Sequence, residues 1–115
     1  MVLDALLTLA ASFLVIGLGF CLTLHIAARY VLGDVPIRNA LAGFVPAAIV
    51  VALTLAGQPV PAAALALAAE VIVVQSVYDV SYRRSGFITV VHFTVSFLLG
   101  FALQNLLALL GTAPT

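Results

Sequence analysis

The chain has 115 residues, of which 65% are hydrophobic and 7% are charged. An ordinary globular domain carries about 25% charged residues, so this composition excludes a water-soluble fold. The formal net charge is zero, which leaves no basic patch for binding nucleic acid, and we expect no nucleic-acid partner.

Four long apolar runs predict four membrane-spanning helices, each of which needs roughly 20 mostly apolar residues. Helix one is expected at about 3–30, because Gly33 and Pro36 break the apolar pattern just after it. The others are expected at about 39–56, 61–82 and 87–110. Because the connections are short, sequential helices should be antiparallel neighbours. The predicted fold is an all-α, four-helix transmembrane bundle that forms a single domain over residues 1–115.

Helix two contains Pro46, which raises the question of whether it crosses the bilayer completely. A helix that began only at Pro46 would have about 11 residues and a length of roughly 16 Å, which is too short to span. We therefore expect the helix to enter at Asn39 or Ala40 and to bend near Pro46, where a backbone hydrogen bond is lost. A re-entrant half-helix is the alternative.

The positive charges predict the orientation of the bundle. The chain has no lysine. Of its four arginines, Arg29 lies at the end of helix one, Arg38 in the connection to helix two, and Arg83 and Arg84 in the connection between helices three and four. Cytoplasmic loops carry an excess of positive residues, so both connections are expected in the cytoplasm and both termini outside. The three tyrosines lie on the arginine-bearing side, as interfacial residues do. We expect a multi-pass protein of the plasma membrane.

Glu70 is the sharpest candidate for a functional residue. It lies nine residues after Pro61, or about 13 Å along helix three, which is near the middle of a roughly 30 Å hydrocarbon core. An ionised carboxylate there costs at least ~2.5–3.5 kcal/mol, so the side chain should face the bundle or another subunit. Two interpretations remain open: a proton or cation site, or a protonated carboxyl that hydrogen-bonds across helices and fixes their packing.

His92 belongs to a polar face of helix four. Ser85, Thr89, His92 and Ser96 follow one another at spacings of four, three and four residues, which places them on one side of a helix. This face predicts either a water-accessible inner vestibule with a titratable imidazole or a seam between helices. In a seam each polar contact contributes roughly 0.6 kcal/mol.

His25 and Gln75 are expected at a similar depth to His92, so that polar side chains from three helices would meet in the inner leaflet. Two histidines and the single cysteine, Cys21, lack the close spacing of a metal site, and we expect no metal and no cofactor. The phosphate-binding loop, the nucleophile elbow and the H-E-x-x-H motif are absent. We therefore expect that the protein is not an enzyme.

Two segments carry a family resemblance: LHIAARYVLGDVP at 24–36 and VVHFTVSFLLGFALQNLLALLGTAP at 90–114. They resemble a family of small uncharacterised integral membrane proteins of haloarchaea, over nearly the whole chain. The resemblance implies an archaeal plasma membrane and no assigned activity.

Two better-known families of small four-helix membrane proteins do not fit these residues. Small multidrug resistance transporters carry their membrane glutamate in the first helix, whereas Glu70 is in the third. The glycine- and asparagine-rich second helix of fluoride channels is missing from residues 39–57.

Two functions follow from these features. The leading interpretation is a non-enzymatic interaction or assembly component that lies in the lipid bilayer and forms a homo-oligomer or binds a membrane-protein partner. The alternative is a small proton- or cation-linked transporter or channel that uses Glu70, with His92 and His25 as an inner relay.

Overall fold

The computed structural model describes residues 1–112, and every regular element in this range is a helix. They are α1 at Val2–Leu32, a 3₁₀ segment at Ile37–Gly43, α2 at Phe44–Leu55, α3 at Pro59–Tyr78 and α4 at Tyr82–Thr112. All four are long and apolar enough to cross a membrane when the 3₁₀ segment is counted with α2. The predicted all-α, four-helix bundle is confirmed, and the chain is a multi-pass membrane protein.

The helices form a closed ring in which each packs against its sequence neighbours and α1 packs against α4. Sequential helices run antiparallel, so Val2 of α1 and Thr112 of α4 lie at the same end of the bundle, which we call the terminal end. The opposite end carries the four arginines, and we call it the arginine end.

The second membrane segment changes helix type just before its proline. The 3₁₀ segment passes into α2 at Phe44, and the two together extend about 32 Å at 2.0 and 1.5 Å per residue, which is enough to cross the bilayer. Pro46 is the third residue of α2. Proline is tolerated there because the first N–H groups of an α-helix have no partner within it.

Gly43 lets the 3₁₀ segment approach α1 at backbone distance. A Cβ atom added to Gly43 would lie 2.9 Å from the backbone nitrogen of Cys21 and from the carbonyl carbon of Phe20. Gly17 of α1 is likewise covered by the ring of Phe44. Gly43 therefore lets the two backbones approach each other directly, and Gly17 leaves room for the ring of Phe44.

The arginine-bearing turn between α3 and α4 is shorter than predicted. Helix α3 ends at Tyr78, and Asp79 takes a left-handed conformation with φ of 52°. Helix α4 begins at Tyr82 rather than near residue 87, because Ser81 caps it: the Arg84 N–H donates to Ser81 Oγ at 3.2 Å. Arg83 and Arg84 therefore lie in the first turn of α4 and not in a loop.

The packed core occupies only part of the two long helices. Helix α1 has no buried residue before Gly17, and α4 has none after His92 within the described part of the chain. Helix α3, in contrast, buries every fourth residue along its length, at Ala62, Ala66, Glu70, Val74 and Tyr78. The apolar core cluster includes Leu24 of α1, Val74 of α3 and Ile88 of α4. Glu70 lies next to this cluster, at the twelfth of the twenty residues of α3.

Candidate functional site

Glu70 and His92 form a buried pair between α3 and α4. His92 Nδ1 lies 2.6 Å from Glu70 Oε1, and the two residues are 3% and 4% exposed, respectively. Such a separation is at the short end of hydrogen-bond distances and is typical of a contact with at least one charged partner. The pair thus places one strong hydrogen bond near the middle of the predicted bilayer.

Two hydroxyls connect this pair to α1. His92 Nε2 lies 2.7 Å from Thr23 Oγ1, and the Ser96 hydroxyl donates to the same Thr23 oxygen at 2.9 Å. We call these four side chains, Glu70, His92, Thr23 and Ser96, the Glu70 network. It links α1, α3 and α4 through side chains alone.

The Glu70 network has two consistent arrangements of its protons. The Thr23 hydroxyl has one hydrogen, and its oxygen lies 3.1 Å from the Gly19 carbonyl oxygen as well as near His92 Nε2. When Thr23 donates to that carbonyl, Nε2 carries a hydrogen and a second proton is shared between Nδ1 and Glu70. When Thr23 donates to Nε2, the only imidazole hydrogen is on Nδ1 and Glu70 is a carboxylate. The two arrangements differ by one proton and by a rotation of the Thr23 hydroxyl.

Of the four intramembrane residues singled out from the sequence, the structure brings together two. Glu70 and His92 are in contact, whereas His25 and Gln75 make no hydrogen bond to either. His25 lies two residues from Thr23, which turns it about 200° around α1. It lines a separate pocket beside Cys21, and its Nδ1 has no hydrogen-bond partner within residues 1–112. The side chain of Gln75 has only a long contact, 3.5 Å, with Ser76.

The arginines lie apart from the Glu70 network, at the arginine end. All four are exposed, and Arg29 approaches Asp34 at 3.6 Å on the surface. An exposed pair of this kind contributes little to stability. Among the described residues, no hydrogen bond or ion pair joins an arginine to the Glu70 network.

The polar face of α4 lies in contact with α3 as well as α1. The Ser85 hydroxyl donates to the Val71 carbonyl of α3, and Ser96 reaches Thr23 of α1. Thr89, between them, is buried and its hydroxyl has no partner among the described residues. The face predicted from the spacing of four, three and four residues is therefore turned into the bundle.

A cavity of about 290 Å³ lies beside the Glu70 network. Its apolar walls come from all four helices and include Phe20, Pro46, Val50, Leu67, Phe93 and Phe97. Its polar lining consists of Glu70, His92 and Ser96, and Glu70 Oε2 has no hydrogen-bond partner among the described residues. A buried carboxylate oxygen without a donor is costly, so this atom is where a further hydrogen bond would be gained.

A protein-family model matches this chain. The sequence model of a family of unknown function, DUF7473, matches residues 4–114. The chain belongs to DUF7473. No curated protein and no solved structure matches it. The resemblance to an uncharacterised family is thereby confirmed.

The Glu70 network offers this DUF7473 protein sites for proton binding and hydrogen bonding. Within residues 1–112, no group of three or more histidine, cysteine, aspartate or glutamate side chains is arranged to hold a metal ion. The two proton arrangements of the Glu70 network differ only by one proton and the direction of the Thr23 hydroxyl hydrogen.

Thr23 and Ser96 are the partners that sequence analysis did not assign to Glu70. Thr23 belongs to a stripe of small residues in α1, and such stripes are typical of close helix packing. The signal that could have found it is depth. Thr23 lies nine residues before the end of α1 and His92 ten residues after the start of α4, so the two reach the same level from the arginine end.

Proposed function

We propose that this DUF7473 protein is a non-enzymatic membrane component that acts by self-association, through the terminal halves of α1 and α4. The terminal halves are residues 2–16 and 97–112. The observation that carries the proposal is that neither half contains a buried residue, although both belong to helices longer than the bilayer requires.

The lengths of the helices support this proposal. Helices α1 and α4 have 31 residues each, or about 46 Å, whereas α3 has 20 residues, or about 30 Å. At the average tilt of about 20°, a 46 Å helix still extends about 43 Å along the bilayer normal, well beyond a hydrocarbon core of about 30 Å. The excess at the terminal end lies in the headgroup layer or beyond it.

The excess is rich in exposed leucine. Leucines of α1 and α4 near the two chain ends are all more than half exposed, namely Leu3, Leu6, Leu7, Leu106, Leu107, Leu109 and Leu110. Headgroups and water cover such side chains poorly, so a protein surface is the more favourable neighbour.

A second copy of the chain fits this surface better than a different partner does. Asp4 is the only charged residue in the terminal halves, so there is no charge pattern that would select a partner of complementary charge. Gln104 and Asn105 lie at the base of the α4 excess and carry both donors and acceptors, so they can pair with the same amides of a second copy. A two-fold dimer would pair identical patches.

Cross-linking tests the association. In a Cys21→Ala background, Leu107→Cys should give cross-linked dimers with a bismaleimide in native membranes. Ile72→Cys is the matched control, because Ile72 is equally exposed but lies in the middle of α3. If Leu107→Cys cross-links to a different protein, then the partner at this surface is that membrane protein and not a second copy of the chain. Monomers by mass in lipid nanodiscs, together with no Leu107→Cys product, would show that the proposal is wrong.

The setting of this function is, by the same proposal, the plasma membrane of an archaeal cell, with both termini outside and the arginine end in the cytoplasm. The arginine distribution supports the orientation, and the haloarchaeal resemblance supports the source. The absence of catalytic motifs from the sequence supports a non-enzymatic role.

A second candidate function is a small proton- or cation-linked transporter. The observation that favours it is the Glu70 network, which lies at mid-membrane depth, has two arrangements differing by one proton and borders a cavity. His25 makes no hydrogen bond to the network, so His92 and Thr23 are the side chains that would pass the proton.

Flux measurements test this candidate. In reconstituted vesicles, a pH gradient should drive proton movement that Glu70→Gln abolishes, since glutamine keeps the shape of the side chain but does not titrate. Asp79→Asn is the control, because Asp79 is exposed at the arginine end and touches no member of the network. Equal flux through the wild-type and Glu70→Gln proteins would show that Glu70 takes no part in transport.

A further inference from the structure

We propose that the cavity beside the Glu70 network binds a small organic ammonium ion with an apolar body, and that this ligand exchanges with one proton. The site is independent of self-association, and it gives the second candidate function a substrate class.

The charge of the ligand follows from Glu70. The residue is 4% exposed and lines the cavity, and its Oε2 has no donor among the described residues. The rest of the lining supplies no fixed positive charge, since the four arginines are exposed at the arginine end. An N–H donor with a positive charge is the group that best satisfies a buried carboxylate oxygen.

The apolar part of the ligand is inferred from the residues that line the cavity. Phe20, Phe93 and Phe97 line the cavity, and aromatic faces attract cations as well as apolar groups. A volume of about 290 Å³ lies at the lower limit of the roughly 300–1,000 Å³ that drug-sized ligands occupy, so the ligand is smaller than those. An aryl-alkyl primary amine has the required size and shape.

The ligand reaches the site from the bilayer. Leu67 of α3 and Phe93 and Phe97 of α4 line the cavity and are also exposed on the outside of the bundle. The cavity therefore opens between α3 and α4 toward lipid. Amines with an apolar body partition into that region as neutral molecules, and protonation occurs at the carboxylate.

The exchange conserves charge at the site. Before binding, the Glu70 network holds a hydrogen on Nε2 and a second proton between Nδ1 and Glu70, so that the pair is neutral. The amine gives up its own proton to water as it enters the bilayer, and at Oε2 it takes one proton from the Glu70 network and becomes the ammonium ion. Thr23 then turns to donate to Nε2, and the remaining imidazole hydrogen, on Nδ1, bonds to Glu70 Oε1. The network then carries one negative charge, which the ammonium balances. No covalent bond forms or breaks except in these proton transfers.

Few other groups can titrate near Glu70. His92 faces it from α4, whereas Tyr78 lies eight residues further along α3 and does not line the cavity. Cys21 of α1 does not line the cavity either. The cavity-lining residues of α2, Pro46 and Val50, carry no ionisable group. The exchanged proton is therefore assigned to the Glu70–His92 pair.

Calorimetric titration of the full chain in lipid nanodiscs tests the proposal, with empty nanodiscs subtracted. The probes are 2-phenylethylammonium and propylbenzene, which has nearly the same shape and no nitrogen. The amine should bind at least about tenfold more tightly than propylbenzene. Titration in two buffers of different ionisation enthalpy should show one proton released per amine, and amine affinity should rise with pH by at most about tenfold per unit.

Three variants complete the test. Glu70→Gln should remove the preference for the amine and the proton release while leaving propylbenzene binding unchanged. Ala63→Leu should weaken both ligands because Ala63 lines the cavity, whereas Ala64→Leu, its exposed neighbour outside the lining, should weaken neither.

The proposal is overturned if the two probes bind equally to the wild-type protein, if no proton is released, or if Glu70→Gln keeps the preference for the amine. If the amine binds with the expected proton release but no flux is measured in vesicles, the amine site is supported and the transport function is wrong. Because the assay measures binding and not association, its outcome is separate from that of the cross-linking experiment.

Discussion

At the scale of single residues, Thr23 is the side chain on which the Glu70 network depends. Its oxygen contacts both His92 Nε2 and the Ser96 hydroxyl, and its own hydrogen can go either to the imidazole or to the Gly19 carbonyl. Without this hydroxyl, Nε2 would be buried with no partner. The two arrangements of protons described above would then no longer be interchangeable.

We expect Thr23→Val to destabilise the bundle by about 1–3 kcal/mol, since valine has the same shape but leaves a buried imidazole nitrogen unpaired. Thr94→Val is the matched control: Thr94 is exposed on α4 and bonds only to the Val90 carbonyl of its own helix. It should change stability by less than about 0.5 kcal/mol. Unfolding in mixed micelles followed by circular dichroism measures both, and equal effects of the two variants would contradict the role given to Thr23.

The sequence predicted the depth of the site residues but not their direction around each helix. Glu70 and His92 were identified because depth follows from counting residues along a helix. His25 and Gln75 were expected to join them for the same reason, but they lie on other sides of α1 and α3. The rotation of a helix about its axis depends on which of several apolar faces packs inward. In a chain that is 65% hydrophobic, that choice leaves little trace in the sequence.

At the scale of elements, the second membrane segment shows how a short run of residues crosses a bilayer. A 3₁₀ helix rises more per residue than an α-helix, so the seven residues Ile37–Gly43 contribute about 14 Å. Such runs are uncommon at this length. Here the segment is supported by its close contact with α1, which Gly43 makes possible.

We expect Gly43→Ala to destabilise the protein by about 1–3 kcal/mol, because the new methyl group would meet the rigid backbone of α1 at Phe20 and Cys21. Gly86→Ala is the control, since a Cβ atom there meets nothing within 4 Å and Gly86 lies inside α4. That variant should gain about 0.5–1 kcal/mol from helix propensity. Thermal unfolding distinguishes them, and an unaffected Gly43→Ala protein would mean that the two backbones are not in contact.

The number and order of the helices could be predicted because each apolar run ends at a cluster of glycine, proline or charged residues. The type of helix before Phe44 and the start of α4 could not. The first depends on a contact with α1 that is distant in sequence, and the second on a cap by Ser81 in a turn that looked like a loop because it contains Arg83 and Arg84.

At the scale of the whole molecule, the arginine end and the terminal end differ in both charge and packing. All four arginines are at one end, whereas the exposed leucines of α1 and α4 are concentrated at the other. The orientation that the arginines predict therefore also predicts which side of the membrane carries the proposed association surface.

Labelling of single cysteines checks this orientation. In a Cys21→Ala background, Asp34→Cys and Tyr82→Cys should react with a membrane-impermeant maleimide only when the cytoplasmic face is accessible. Gln58→Cys, in the turn between α2 and α3, should react only from outside. All three positions are exposed. Labelling of Asp34→Cys and Tyr82→Cys from opposite faces would contradict the four-span topology.

The uneven packing of α1 and α4 has a mechanical consequence. A force applied to the two chain ends would first separate the terminal halves, which contain no buried residue and in which Phe13 packs on Phe44. The load would then reach Ser96 and Thr23, which hydrogen-bond α4 to α1, and pass from them to His92 and Glu70. The first ~15 residues at each end should therefore extend at low force. The rest of the bundle should then unfold in one step at higher force, when the hydrogen bonds of the Glu70 network break.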